Sequence, residues 1–226
     1  MKLVIGNRNY SSWSLRAWLY LTESELPFEE IYVPLDTPQW AEDIHKYSPA
    51  RRVPVLIDGD TTVWDTAAIF EYLLEQHPQS VGWPAQRTAR AHARSVSAEM
   101  HSGFIALRDE LPQNLRQRSP LQIETLSATC QAQVQRVQSI WQDCYQRYGG
   151  PWLFGEFSIA DVMYAPVALR FLSYSIPLNN DAAAFQNAVQ QLPNVQRFVA
   201  AAEIEKESLP FVDELIGEAN NPLTLG

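Results

Sequence analysis

This chain of 226 residues is poor in cysteine, glycine and basic side chains. It has only two cysteines and nine glycines, and its 26 acidic residues outnumber its 17 lysines and arginines, giving a formal net charge of −9. Because non-specific nucleic-acid binding needs a basic face, neither nucleic acid nor an anionic membrane is expected as a partner. No apolar run approaches the roughly 20 residues of a membrane span. No signal-like segment opens the sequence, so a cytoplasmic location is expected.

The two cysteines, Cys130 and Cys144, fall on the apolar stripe of a long helix predicted over 123–148. Their separation corresponds to about 21 Å of helix, which is beyond the reach of a disulfide. Both are interpreted as core residues, so an enzyme built on this chain does not use its own thiol. The four histidines lack the spacing of a metal site, and no metal is expected. A Gly-x-Ser-x-Gly elbow is also missing, which argues against a serine hydrolase.

The first 80 residues alternate between strand and helix patterns. A turn at Asp58-Gly59-Asp60 separates two short apolar runs and predicts a hairpin. The pattern therefore predicts a small mixed sheet with helices on its faces. Strands are predicted at about 2–6, 29–34, 53–57 and 61–64, and helices at about 13–24 and 66–76, with a short helical or irregular stretch around 38–46.

Beyond the prolines at 78 and 84 the pattern becomes wholly helical. We therefore divide the chain into an N-terminal domain (1–77), a linker (78–84) and a helical domain (85–226). Gly149 and Pro151 follow the second long helix in the arrangement typical of a helix end. Helices are predicted for the apolar stripe from 89 to 111, for 123–148, 158–173, 182–191 and 194–205, followed by a tail of little periodicity.

A run of hydroxyl side chains lies where the first strand gives way to the first helix. It reads Ser11-Ser12-Trp13-Ser14, and it follows the apolar residues of the strand at 3–5. A helix N-terminus leaves backbone N–H groups without intrahelical partners, and these groups favour an anion. The run therefore predicts either a simple helix cap or a site that holds an anion.

Four motifs occur in a fixed order along the chain. They are Ser11 five residues before Arg16, Val53-Pro54 ahead of the third strand, Asp65-Thr66 opening the third helix, and Ser158-Ile159-Ala160-Asp161 in the helical part. Together they resemble the cytosolic glutathione S-transferase family, in its serine-type and distantly zeta-like form. The resemblance implies an α/β thioredoxin-like N-terminal domain followed by an all-α C-terminal domain, the glutathione S-transferase fold. The last motif is interpreted as an architectural capping box.

The resemblance also implies roles for site residues. Ser11 would donate a hydrogen bond to the thiolate of glutathione, with Ser12 as the alternative and helix capping as the simpler explanation. The backbone of Val53, before a cis Pro54, would pair with the glutathione peptide. The γ-glutamyl end would meet Asp65 through its ammonium group and Thr66 through its carboxylate, and Arg52 would lie near the glycyl carboxylate.

An apolar cleft between the domains is the expected place for the second substrate. Its candidate lining residues are Tyr10, Trp13, Met100, Phe104 and Leu107, and for the last three a position in the core is favoured. Arg87, Arg90 and Arg94 share one helix face. The resemblance places that helix near a homodimer contact, although a solvated face is the usual explanation for such a pattern.

The resemblance implies a cytoplasmic, homodimeric detoxification enzyme with glutathione as its cosubstrate and an electrophilic small molecule as its second substrate. Two alternatives remain open. The first is maleylacetoacetate isomerase, the zeta-class activity, although zeta members carry Ser-Ser-Cys-Ser where this chain has Trp13 in the third position. The second is a non-catalytic binding protein on the same fold.

Overall fold

The computed structural model describes residues 1–219. Within that range no helix is both long and apolar enough to cross a membrane. The N-terminal domain contains a four-stranded mixed sheet in the order β2-β1-β3-β4. β1 runs parallel to β2 and antiparallel to β3, and Gly59, with a positive φ of 57°, turns the β3–β4 hairpin. The elements are β1 (Lys2–Ile5), α1 (Ser12–Glu23), β2 (Glu29–Tyr32), α2 (Trp40–His45), β3 (Val55–Asp58), β4 (Thr61–Trp64) and α3 (Thr66–Gln76).

β1 is covered on both faces because successive side chains of a strand point in opposite directions. Leu3 and Ile5 join the main core, while Val4 joins a small second cluster with Val33 and Val55. The sheet with its flanking helices is the thioredoxin-like domain predicted from the sequence, and the helical part follows it as predicted. The region around Ser11 contacts the helical part, since Arg170 donates to the hydroxyl of Ser12.

The rest of the described chain is helical. α7 is buried along most of its length, and Trp141 of α6 packs against Phe171 of α7 and Phe185 of α8. A capping box opens α7 at Ser158, as predicted. The helices are α4 (Arg87–Ser102), α5 (Ile105–Glu110), α6 (Ala128–Tyr148), α7 (Ile159–Ser173), α8 (Asn180–Gln191), α9 (Pro193–Glu203) and α10 (Pro210–Ala219).

The prediction of one continuous helix over 89–111 is wrong. α4 ends at Ser102, and Phe104 adopts a left-handed conformation with φ of 59° before α5 begins. Gly103 permits the break, since a Cβ there would lie 2.8 Å from the carbonyl oxygen of Glu99. The apolar stripe nevertheless remains buried across the break, and Phe104 and Leu107 pack in the main core.

Two further helix bounds differ from the predictions. The long helix begins at Ala128 instead of 123, because Ser127 caps it and 123–125 form a separate 3₁₀ turn. The segment expected to lack periodicity beyond 205 contains α10. The last part of that predicted tail and of the predicted domain 85–226, residues 220–226, lies outside the described residues.

Two of the three arginines in the first half of α4 contact other groups of the same chain. Arg90 donates to the carbonyl oxygens of Pro84 and Ala85, and Arg94 lies 5.6 Å from the ring centre of Trp83. Arg87 is exposed. Two of the three side chains on the predicted dimer face therefore have local partners in the single chain.

Candidate active site

Ser11 is the N-cap of α1. Its hydroxyl oxygen accepts the N–H of Ser14 at 3.2 Å and its proton is donated to the Ser14 hydroxyl at 2.8 Å. Ser14 is in turn tied to β1, because it accepts the backbone N–H of Gly6 at 3.0 Å. Ser12 has a different partner, since its hydroxyl oxygen accepts a hydrogen bond from Arg170 at 3.2 Å. Both candidate serines are thus buried and held in place.

The start of α3 carries Asp65 and Thr66. Asp65 is the N-cap, accepts the N–H of Ala67 at 2.9 Å, and has a positive φ of 73°. Thr66 is 1% exposed, and within residues 1–219 its hydroxyl has no hydrogen-bond partner. A buried hydroxyl without a partner is costly. Together with the free N–H groups of the helix N-terminus, it forms a set of donors suited to a carboxylate.

The segment before β3 presents an open backbone edge. Val53 precedes a cis Pro54, as the resemblance implied. Within the described residues the N–H and C=O of Val53 take part in no hydrogen bond. The guanidinium of the exposed Arg52 likewise makes no hydrogen bond or ion pair in that range. These groups are therefore available to a ligand.

One cavity of about 550 Å³ brings these two segments together. All five residues predicted to bind glutathione line it, although they come from separate places in the chain, and Trp13 borders it as well. Ser11 and Ser12 are not among its described lining residues, but Trp13 is two residues from Ser11 along α1. The lining residues are Trp13, Ala50, Arg52, Val53, Pro54, Trp64, Asp65, Thr66 and His101.

The other residues predicted to line an apolar cleft do not border this cavity. Met100, Phe104 and Leu107 are core residues, which is the position favoured from the sequence. Tyr10 is 8% exposed, and its hydroxyl donates to the carboxylate of Asp213 at 2.8 Å. Burial of Tyr10 by α10 was not foreseeable from the sequence, since it depends on a residue some 200 positions away.

His101 is a cavity residue that the sequence analysis missed. Its Nε2 lies 3.2 Å from Oδ2 of Asp65, and its ring packs edge-on against Trp13 with the ring centres 5.2 Å apart. It therefore connects the end of α4 with the start of α3. Nothing in the local sequence signals this contact, because the two partners belong to different domains.

Three arginines surround Trp13 and the start of α1. Arg16 and Arg108 lie 4.4 and 4.6 Å from the ring centre of Trp13, and Arg170 contacts Ser12. Burial and then the charges of the other two arginines lower the pKa of Arg16 well below its usual range. Within residues 1–219 none of the three forms an ion pair with a carboxylate. A positive field thus surrounds the N-terminus of α1.

The two thiols lie on α6, outside the cavity lining, and should be inert. Both Cys130 and Cys144 are fully buried, and burial raises the pKa of each to about 12. We expect no labelling of the folded protein by a thiol reagent at pH 8, and labelling of both thiols in urea. Rapid labelling of the folded protein would show that a cysteine is open to solvent.

Comparisons with known proteins find a matching family model and several similar proteins. Residues 10–76 match the family model for the glutathione S-transferase N-terminal domain. The dichloromethane dehalogenase of Methylophilus leisingeri is 36% identical over 69 residues, which are 28% of this chain and 25% of that protein. A probable maleylacetoacetate isomerase of Caenorhabditis elegans is 31% identical over 100 residues, 44% of this chain and 46% of that protein. The chain thus spans a quarter to a half of these curated relatives.

Solved structures cover nearly the whole chain. A glutathione transferase homologue from Burkholderia gl BGR1, with bound glutathione, is 26% identical with a TM-score of 0.69, and 90% of this chain aligns with 98% of that one. A maleylpyruvate isomerase, described as a bacterial glutathione S-transferase of the zeta class, is 22% identical with a TM-score of 0.71, covering 92% of this chain and 100% of that one.

Proposed function

We propose that the chain is a glutathione transferase in which Ser11 stabilises the thiolate of bound glutathione. The match of residues 10–76 to the glutathione S-transferase N-terminal domain and the similarity of most of the chain to a glutathione transferase homologue support this proposal. The thiolate attacks an electrophilic small molecule. Its lone pair forms the new S–C bond, and an electron pair departs with the leaving group or moves onto the acceptor. The protein binds, orients and ionises glutathione, which supplies the nucleophile.

The observation that carries this proposal is the shared cavity of the two glutathione-binding segments. Val53 offers to the peptide backbone of glutathione an N–H and a C=O that make no hydrogen bond in the described part of the chain, as an added strand would need. Thr66 and the start of α3 suit the γ-glutamyl carboxylate, while Asp65 suits the ammonium group. Arg52, whose guanidinium has no partner among residues 1–219, lines the same cavity and suits the glycyl carboxylate.

Two features near Ser11 favour a thiolate. The N-terminus of α1 and the arginines around Trp13 place positive charge there without a carboxylate partner in the described chain. The hydroxyl of Ser11 donates its proton to the hydroxyl of Ser14. Ser14 also accepts from Gly6, so Ser11 is free to turn its proton toward a sulfur without leaving Ser14 unsatisfied.

The test is a titration of bound glutathione by ultraviolet absorption of the thiolate, on the native protein, Ser11→Ala and Ser12→Ala. We expect Ser11→Ala to lower the thiolate population about tenfold near neutral pH, as the loss of one hydrogen bond to a charged group implies. Ser12→Ala is the matched control on the adjacent hydroxyl. A change confined to Ser12→Ala would move the role to Ser12, and no change in either variant would refute a serine-stabilised thiolate.

The similarity to a probable maleylacetoacetate isomerase favours a glutathione-dependent isomerase as the second candidate. Against it, Trp13 borders the cavity at the position where zeta members carry cysteine. A substrate panel of halogenated and unsaturated electrophiles separates the two activities. Glutathione binding without turnover of any of them would instead favour a non-catalytic binding protein. A cytoplasmic homodimer with a role in detoxification is part of the same proposal.

A further inference from the structure

The C-terminal segment 205–213, which we term the C-terminal strap, is fastened to the turn that precedes Ser11. The two carboxylate oxygens of Glu205 accept the backbone N–H groups of Arg8, at 2.8 Å, and of Asn9, at 3.1 Å. The Glu205 side chain is only 8% exposed. The same turn closes through the N–H of Ser11, which donates to the carbonyl oxygen of Asn7 at 2.8 Å.

A second set of contacts holds the strap at the same place. Arg116 donates to the carbonyl oxygen of Glu205 at 2.6 Å and to the hydroxyl of Tyr10 at 2.6 Å. The Tyr10 hydroxyl donates to Asp213, which also accepts from Asn114 at 2.8 Å. Side chains from the loop after α5 thus bind both the strap and the turn. The turn is anchored from the C-terminal side of the molecule as well as from β1.

Glu205 occupies the central position in this arrangement. Hydrogen bonds from backbone N–H groups to a carboxylate are among the stronger ones in proteins. Without the Glu205 carboxylate, the N–H groups of Arg8 and Asn9 in this partly buried turn would lose their acceptor. Because Arg8 and Asn9 come two to three residues before Ser11, their placement sets the direction in which the Ser11 hydroxyl points.

We infer that Glu205 is a positioning residue: by binding the N–H groups of Arg8 and Asn9 it holds Ser11 where its hydroxyl meets the glutathione thiolate. This inference rests on the proposed function. Glu205 itself is not among the described residues that line the cavity. Its effect should therefore appear in the ionisation of bound glutathione much more than in the affinity for it, since Arg52, Val53, Asp65 and Thr66 lie on other elements.

The variant that tests this is Glu205→Gln. The amide oxygen can accept one of the two N–H groups, but the amide NH₂ faces the other. Glu203→Gln is the matched control, because it removes the same charge from an exposed position two residues earlier. Without glutathione, we expect amide hydrogen exchange of residues 7–10 to be about tenfold faster in Glu205→Gln than in the control. With glutathione, we expect about threefold less thiolate near its pKa, at nearly unchanged affinity.

A double variant separates positioning from general destabilisation. In the Ser11→Ala background, Glu205→Gln should change the thiolate population no further, because the group that it positions is gone. An equal decrease in both backgrounds, or exchange that is faster throughout the chain, would overturn the inference. If no thiolate of bound glutathione is detected on the native protein, the proposed function is refuted, and the positioning role of Glu205 is refuted with it. If the native protein binds thiolate and Glu205→Gln is unchanged, the role of Glu205 alone is refuted.

Discussion

Replacing Asp161 by alanine should lower the free energy of unfolding by about 4 kcal/mol. The carboxylate is fully buried at the start of α7. It accepts the N–H of Leu153, and both the N–H and the hydroxyl of Ser158, each at 2.8 Å. Alanine leaves two buried N–H groups without acceptors, and it also loosens the loop at 153–158 that these bonds fasten to the helix. Urea unfolding of the two proteins measures the difference.

Ser158→Ala is the matched control for this variant. It removes the cap hydroxyl while leaving the Asp161 carboxylate and both N–H donors in place, so we expect a loss of only about 1 kcal/mol. If Asp161→Ala destabilised the protein no more than Ser158→Ala does, the carboxylate would not be the centre of this network.

The same residue predicts a pH dependence. Burial raises the pKa of Asp161 to about 7, although the hydrogen bonds that the carboxylate accepts oppose the shift. The folded state therefore keeps a proton on Asp161 that the unfolded state loses above about pH 4. The free energy of unfolding thus decreases as pH rises from about 4 to 7. The stabilisation that comes from the protonated side chain is complete only below about pH 4. The stability of the native protein relative to Asp161→Asn should fall across these pH values, whereas a rise would mean that the charged form is preferred.

Replacing Thr66 by valine should weaken glutathione binding by about 10- to 100-fold, since a hydrogen bond to a charged group contributes roughly 1.5–3 kcal/mol. The same change should stabilise the ligand-free protein by about 1 kcal/mol, because the buried hydroxyl has no partner among the described residues. The two effects have opposite signs. That combination is the signature of a polar group kept for a ligand instead of for the fold.

Calorimetric titration with glutathione and unfolding without it measure the two effects. Thr66→Ser serves as the control, because it retains the hydroxyl and should bind nearly as the native protein does. Native-like binding by Thr66→Val would place the γ-glutamyl carboxylate elsewhere. A destabilised ligand-free Thr66→Val would show that the hydroxyl has a partner in the fold.

Motifs that encode their own local geometry were predictable from the sequence. A residue before proline is extended, so Val53-Pro54 indicated an open backbone edge. Asp65-Thr66 indicated a helix start, and the structure places both segments on one cavity. The break between α4 and α5 was not predictable, because the apolar residues keep helical spacing across it. Phe104 takes a left-handed conformation that residues other than glycine rarely adopt.

Residues whose role depends on distant partners were also missed. His101 meets Asp65 from another domain, and Glu205 meets Arg8 across 197 positions of sequence. Neither has a recognisable motif around it. Such contacts arise only when the helical part packs on the sheet, so a pattern of neighbouring residues carries no sign of them.

The attachment of the C-terminal strap also orders events during synthesis. The N-terminal domain leaves the ribosome long before Glu205 does, and domains generally fold as they emerge. All strands of the sheet lie within residues 2–64, but the N–H groups of Arg8 and Asn9 receive their Glu205 acceptor only when a residue 197 and 196 positions later has been added. The turn before Ser11, and with it the proposed stabilisation of the thiolate, is therefore completed only after nearly the whole described chain has been synthesised.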